Sequence, residues 1–262
     1  MPAKTYLLIA SLFLLLIACE KEKSLSTGRS TSADGPRLTK TIWRWYDSAF
    51  YSFFYYDEQN RLTSIVDSEN TNFSKTFTSF VYDGQGKLLK KIYTHDYDSY
   101  VGQDSFWYDH DKIAGKRYSN STYANKNIYS YDSKGRLIGD TTYSYWNDKV
   151  YGYVGYTYDS NDNIVSWQEF HDEGGIMKSD GVTVAAYNNS INPYFDLSSS
   201  IYTTWYDNSI LSKHLRTQVT YYDGTIENFT SEYYSDGRVK KLTDTDTTGG
   251  YTDITTGEFF YE

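Results

Sequence analysis

Along this chain aromatic residues alternate with polar ones at period two, and one phrase recurs: aromatic-x-Tyr-Asp, a short turn, then an aliphatic residue. The full copies are Phe54-Tyr55-Tyr56-Asp57, Phe80-Val81-Tyr82-Asp83, Phe106-Trp107-Tyr108-Asp109, Tyr129-Ser130-Tyr131-Asp132 and Tyr156-Thr157-Tyr158-Asp159. The tyrosines before Asp stand 26, 26, 23 and 27 residues apart, and a weaker copy runs from Glu232 to Val239. Side chains two apart share a strand face. The Tyr and the aromatic before it therefore line one face, and the residue between them points the other way. That middle position varies (Tyr55, Val81, Trp107, Ser130, Thr157), while its flanks are aromatic in every full copy. The pattern predicts an aromatic ladder on one face and a tolerant opposite face.

The residues after each Tyr are turn chemistry. Asp caps the turn with its carboxylate, and Asn60, Gly86, Gly135 and Asn163 are expected to supply the left-handed residue. Arg61, Lys87 and Arg136, followed by Leu62, Leu88 and Leu137, then start a return strand. A repeat of this length is one supersecondary unit stacked on its neighbours. The predicted fold class is all-β: a large up-and-down antiparallel meander of about 14–16 strands, curled or barrel-like, built from these hairpin repeats. Asp109-His110-Asp111-Lys112 is one residue short and lacks Gly, which predicts a tighter or bulged turn. Residues 188–213 break the rhythm. Their start is turn-rich, and Ile201 to Leu215 reads as a helix or an irregular crossing over one end of the sheet. Such an insertion serves equally as a functional loop or as a plug.

Tyr131-Asp132-Ser133-Lys134-Gly135-Arg136-Leu137 resembles the YD repeat of Rhs-type proteins. More closely, the chain from about residue 40 onward is similar to Bacteroidetes lipoproteins of unknown function described as having a porin-like β-fold. Their later part often carries an Asn-Pro-aromatic segment, a Leu-Ser-Lys stretch and Tyr-x-Asp-Gly-Thr strands. Asn192-Pro193-Tyr194, Leu211-Ser212-Lys213 and Thr220-Tyr221-Tyr222-Asp223-Gly224-Thr225 fit that outline. The resemblance implies a fold and brings no functional residues with it.

Composition agrees with strands. The chain has 30 Tyr, 13 Phe and 6 Trp among 262 residues, and only 3 Pro. Aromatic residues favour strands, and tyrosine suits a half-wet sheet because its ring packs while its hydroxyl reaches water. A mean hydropathy of −0.65 allows a thin aromatic core rather than a thick aliphatic one. A net charge of −9 without a basic run excludes nucleic acid and an electrostatic membrane-surface binder.

The amino terminus states where the protein lives. Lys4, an apolar stretch from Tyr6 to Ile17 and small Ala18 precede Cys19, the only cysteine. That order is an export signal too short to span a bilayer as a helix, and Leu16-Ile17-Ala18-Cys19 resembles the lipobox of bacterial lipoproteins. The resemblance implies cleavage after Ala18 and a lipid on Cys19. The expected domains are a signal peptide at 1–18, a flexible tether at 19–36 and one β domain at 37–262. A tether of that length reaches about 23 Å. With Cys19 acylated, disulfides, thiolate metal sites and cysteine nucleophiles are excluded. Glu20 and Glu22 beside the anchor resemble the signal that sends such lipoproteins to the cell surface.

Candidate chemistry is sparse. No Gly-x-Ser-x-Gly elbow, His-Glu-x-x-His pair or phosphate-binding glycine loop is present. His95-Asp96 and Asp109-His110-Asp111 would bind a metal only if neighbouring strands joined them. Asp244-Thr245-Asp246-Thr247-Thr248-Gly249 begins like a calcium loop but lacks its later ligands, and reads as a solvated hairpin loop. Asp47-Ser48-Ala49, Asp140-Thr141-Thr142 and Asp246-Thr247-Thr248 resemble a short O-glycosylation motif. Exposed rings stack on sugars, and Trp43, Trp45, Trp107, Trp146, Trp167 and Trp205 are the candidates for such a platform. Trp107, on the face opposite the ladder, is the best single one, although the favoured reading is that the tryptophans extend the same packing ladder as the tyrosines. The sequence thus reads as a non-enzymatic, lipid-anchored outer-membrane protein facing the cell surface. It is expected to bind a glycan or surface protein or to serve as a structural surface module, with no cofactor, metal or nucleic acid. The alternatives are a membrane-spanning β-barrel and an Rhs-like, secretion-associated shell.

Overall fold

The aromatic-x-Tyr segments are strands, and each turn after them closes a hairpin. A computed structural model describes residues 36–70, 74–144, 147–195, 208–248 and 251–262; Cys19 and the tether lie outside these. The first eight strands are β1 (Leu38–Trp45), β2 (Ser48–Tyr56), β3 (Leu62–Glu69), β4 (Lys75–Tyr82), β5 (Leu88–His95), β6 (Val101–Asp109), β7 (Lys112–Ser119) and β8 (Ala124–Tyr131). They continue as β9 (Leu137–Ser144), β10 (Val150–Tyr158), β11 (Ile164–Glu173), β12 (Ile176–Ile191), β13 (His214–Thr220), β14 (Ile226–Tyr233), β15 (Val239–Thr248) and β16 (Tyr251–Tyr261). Each strand pairs antiparallel with the next, and β16 returns to β1 to close a barrel. Arg37 and Glu262 exchange backbone hydrogen bonds of 2.6 and 2.9 Å at that seam.

The ladder faces inward. Phe54, Phe80, Phe106 and Tyr129 are all buried, whereas Tyr55, Val81 and Trp107 between the paired aromatics are exposed. Why the second ladder position is always Tyr follows from the ladders between repeats. β3 pairs with β4 only from Ser64 onward, so the Leu62 carbonyl at the strand start has no ladder partner on that side. The Tyr82 hydroxyl donates to it at 2.8 Å. Tyr56 does the same for Leu38, Tyr108 for Leu88, Tyr131 for Ile113 and Tyr158 for Leu137, at 2.7 to 3.0 Å. A buried carbonyl needs a donor, and phenylalanine has none. The base that follows each of the first four turns covers the next repeat's ring. Arg61 lies 4.8 Å over Tyr82 and Arg136 4.7 Å over Tyr158.

The turns hold as the Asp predicts. Asp132 accepts the Lys134 and Arg136 backbone N–H groups, both at 2.9 Å, and the Arg136 Nε–H at 2.8 Å. The left-handed residues are Asn60, Gly86 and Gly135 in the first, second and fourth copies, but Asp162 rather than Asn163 in the fifth. The turn places that conformation three residues after the capping Asp. Asn163 lies one further on, in the arginine position, and its amide donates to Asp159 at 3.0 Å as the arginine would. The short copy turns tightly, with His110 left-handed and Asp109 paired directly to Lys112.

β12 runs to Ile191, so the irregular stretch begins at Asn192 rather than at 188. Part of the crossing expected between Ile201 and Leu215 lies outside the described residues; Asn208–Leu211 is a short 3-10 helix and β13 starts at His214. The described part plugs the YD-turn end. Asn192 donates to the Ser209 and Ser212 carbonyls at 2.8 and 3.1 Å. Buried Ser212 receives the Ile164 N–H at 3.1 Å. Tyr194 enters the barrel, with Phe259 at 5.7 Å and Phe54 at 6.5 Å between ring centres, and accepts the Trp43 indole N–H at 3.3 Å. Ile210 and Leu211 join the same core cluster.

Candidate functional site

Moving from the plugged end toward the opposite rim, the inner wall changes from rings to charges. Register sets Phe80 opposite Lys91, and Lys91 opposite Asp104. Lys91 is 0% exposed and Asp104 1%. Their charged atoms stand 3.6 Å apart, and Lys116 reaches the other Asp104 oxygen at 3.6 Å. The Tyr93 hydroxyl donates to Asp104 at 2.5 Å. The Lys91 ammonium makes no hydrogen bond. Burial pushes its pKa well down, against the pull of Asp104. The same burial, with Asp104 beside it, pushes Tyr93 far up. Further round, the Asn127 amide donates to Asp140 at 2.7 Å and to Thr142 at 3.0 Å. A fully enclosed amine cannot meet a substrate, so this belt belongs to the interior packing of the wall.

Asp244 to Thr248, the described part of the segment resembling a calcium loop, is strand, not the hairpin loop expected; Gly249 lies outside the described residues. Asp244, Thr245 and Asp246 pair in succession with Phe229, Asn228 and Glu227, so their side chains alternate faces and cannot gather round one ion. Glu227, Asp246 and Asp253 do stand side by side in register. Like charges directly opposite repel, and tyrosine hydroxyls relieve the row. Tyr221 donates to Glu227 at 2.9 Å, and Tyr46 donates to Asp253. Among the described residues no group of three His, Asp or Glu is arranged to hold a metal. The two histidine segments lie apart: His95 ends β5 at the rim, and His110 lies in a turn at the plugged end.

The rim itself is aromatic. The His95 ring is sandwiched between Tyr97 and Tyr100, with centres 4.8 and 4.6 Å away and planes within 13°. Asp98 holds the His95 Nδ1 at 3.2 Å and accepts the Tyr100 N–H at 2.9 Å. From there the arc continues. Tyr100 and Tyr118 join through their hydroxyls, Tyr118 lies 6.2 Å from Tyr123, and Tyr123 meets the Tyr151 hydroxyl at 2.9 Å. On the rim near the seam, Trp45 and Tyr46 pack together at 5.0 Å, both exposed.

The four described tryptophans, Trp43, Trp45, Trp107 and Trp167, do not form a platform. Trp43 and Trp167 belong to the interior, where Trp43 meets Phe259 at 5.9 Å and Arg216 stacks 5.0 Å over Trp167. Trp146 and Trp205 lie outside the described residues. Trp107 is 38% exposed on the outer wall. Its ring covers Gly115 so closely that an added Cβ there would come within 2.3 Å of it. Its position is explained by packing. The rim tyrosines, by contrast, escape sequence reading because tyrosine is everywhere in this chain; the usable signal is their place in the hairpin ends that lack the YD phrase.

With this geometry in hand, comparison with solved structures gives the fold a context. A porin-like protein from Bacteroides uniformis matches at TM-score 0.57 and 14% identity, covering 86% of this chain and 96% of its own. A porin-like protein from Bacteroides vulgatus matches at TM-score 0.55 and 10% identity, covering 87% and 99%. The fold of this chain is thus shared with porin-like barrels, as the sequence resemblance implied. No family model matches the chain, and no curated protein sequence does.

Proposed function

We propose that this protein is a non-enzymatic barrel of the bacterial envelope, porin-like in its wall but occluded, tethered to the outer membrane by a lipid on Cys19. One observation carries the reading: the turn end is filled by Tyr194, Ile210 and Leu211 packed among the ladder rings. A wall plugged in this way does not conduct; it presents its rim to a partner. The outer face supports a barrel standing in water. Register places Arg117 directly opposite Lys126, and Lys241 opposite Glu258, all on the outside. An outward Lys or Arg at the bilayer midplane costs about 2–4 kcal/mol. The second reading is a membrane-spanning barrel, and the porin-like fold of the two neighbours favours it.

One protein separates the two. The full chain carrying Cys19→Ala is expected to lose palmitate labelling, leave the membrane fraction and stay folded without detergent. It should give no conductance in a planar bilayer. A variant that still needs detergent and opens channels establishes the spanning barrel instead. Surface exposure rests on Glu20 and Glu22: replacing both with Ala should protect the protein from protease shaving of whole cells while leaving acylation unchanged.

A further inference from the structure

We infer that the tyrosine arc at the rim, running from Tyr97 through Tyr100 and Tyr118 to Tyr123 and Tyr151, is a saccharide-binding surface that takes neutral glycans and rejects acidic ones. The inference rests on the reading of the rim as the partner-binding end.

The arc has the two features a pyranose needs. Flat ring faces receive its C–H side, and hydroxyls and amides along the edge exchange hydrogen bonds with its hydroxyls. Tyr97 ends the stack built on His95 and is 60% exposed, so the stack presents one open ring face at its end. The stack is set in place before any ligand arrives, because Asp98 ties the His95 ring and the Tyr100 backbone into one turn. Preorganised rings lose little freedom on binding. At the other end the phenols of Tyr123 and Tyr151 bond to each other, and Asn125 donates to Tyr151 at 3.2 Å. Asn120 likewise donates to the Tyr118 hydroxyl at 3.1 Å. A chain of hydroxyls beside stacked rings matches a ligand that is flat on one side and hydroxylated at its edge.

Charge selects within that class. The described hairpin ends at this rim carry Asp47, Glu69, Asp96, Asp98, Asp148, Glu173 and Asp223 against Lys75 and Lys149, with Lys126 paired to Asp148. A negative rim repels sulfated and uronic acid chains over a range set by ionic strength. Neutral sugars feel no such penalty.

The test is calorimetric titration of the full chain in detergent micelles. The ligands are neutral oligosaccharides of glucose, mannose, galactose and xylose, their uronic and sulfated counterparts, and oligolysine. The expected result is binding of a neutral oligosaccharide that Tyr97→Ala weakens about tenfold or more. Tyr97→Phe should restore most of that loss, and Tyr55→Ala on the outer wall should change nothing. Tyr97 is exposed, so its truncation leaves the barrel folded. Preference for an acidic sugar or for oligolysine overturns the inference, as does an absence of binding to every neutral member. Neutral binding untouched by Tyr97→Ala overturns the location. None of these outcomes bears on conductance, so the occluded-barrel reading stands or falls separately.

Discussion

Lys91 shows what a single residue costs inside this wall. It is fully enclosed, it faces Asp104 at 3.6 Å, and its ammonium makes no hydrogen bond. Desolvating two charges is expensive, so a well-packed apolar substitute is often neutral or stabilising, whereas removing one partner is not. Lys91→Met is therefore expected to match or exceed the wild type in urea denaturation. Asp104→Ala, which strands two lysines, should cost about 3–5 kcal/mol. The pH dependence has a definite sign. The Lys91 pKa in the folded chain lies below its unfolded value. Between the two the unfolded chain binds the extra proton, so stability rises with pH through that window and falls as the amine protonates. Lys91→Met should remove that slope. A Met variant much less stable than wild type would show that the pair is a net stabiliser. The depth of Lys91 inside the barrel came only with closure.

At the scale of the element, the hairpin repeat is a unit with its own bracing. Its Asp caps its turn, its base covers the next tyrosine, and that tyrosine returns a hydrogen bond to the start of the neighbouring hairpin. Tyr131→Phe keeps the ring and leaves the Ile113 carbonyl unpaired, so a loss of about 1–2 kcal/mol is expected. Tyr55→Phe, on the exposed face, should cost nothing. Equal effects at both positions in a denaturation series would mean that the hydroxyl brace is idle. Most of this unit was legible in the chain. The face assignment, the capping Asp and the tight turn at His110 followed from spacing and residue type. The left-handed residue of the fifth turn did not, because Asn163 looked suitable by composition while the geometry counts three residues from Asp159 and lands on Asp162. The brace was also hidden, since a carbonyl two residues short of the ladder is a feature of pairing register, not of sequence.

For the whole molecule, closure and plugging are one problem. A sixteen-strand wall encloses more space than its inward rings fill, and the stretch after β12 supplies the missing volume. Among the described residues of that stretch Ile210 is the most buried aliphatic one, and Ile210→Ala should cost about 2–5 kcal/mol in chemical denaturation. Full tolerance there would show that the plug is no part of the cooperative unit. The sequence by itself determined the strands, the hairpins, the inward aromatic face and an unusual stretch near residue 190, because each rests on contacts within one repeat. It also marked Cys19 as the expected anchor, through a local order of residue types. Only the tertiary structure decided that β16 meets β1, that Tyr194 reaches Trp43 across 151 residues, and that scattered tyrosines gather into one rim. Those outcomes depend on how sixteen tilted strands close on themselves, and loop-closure on that scale leaves no periodic trace in the chain.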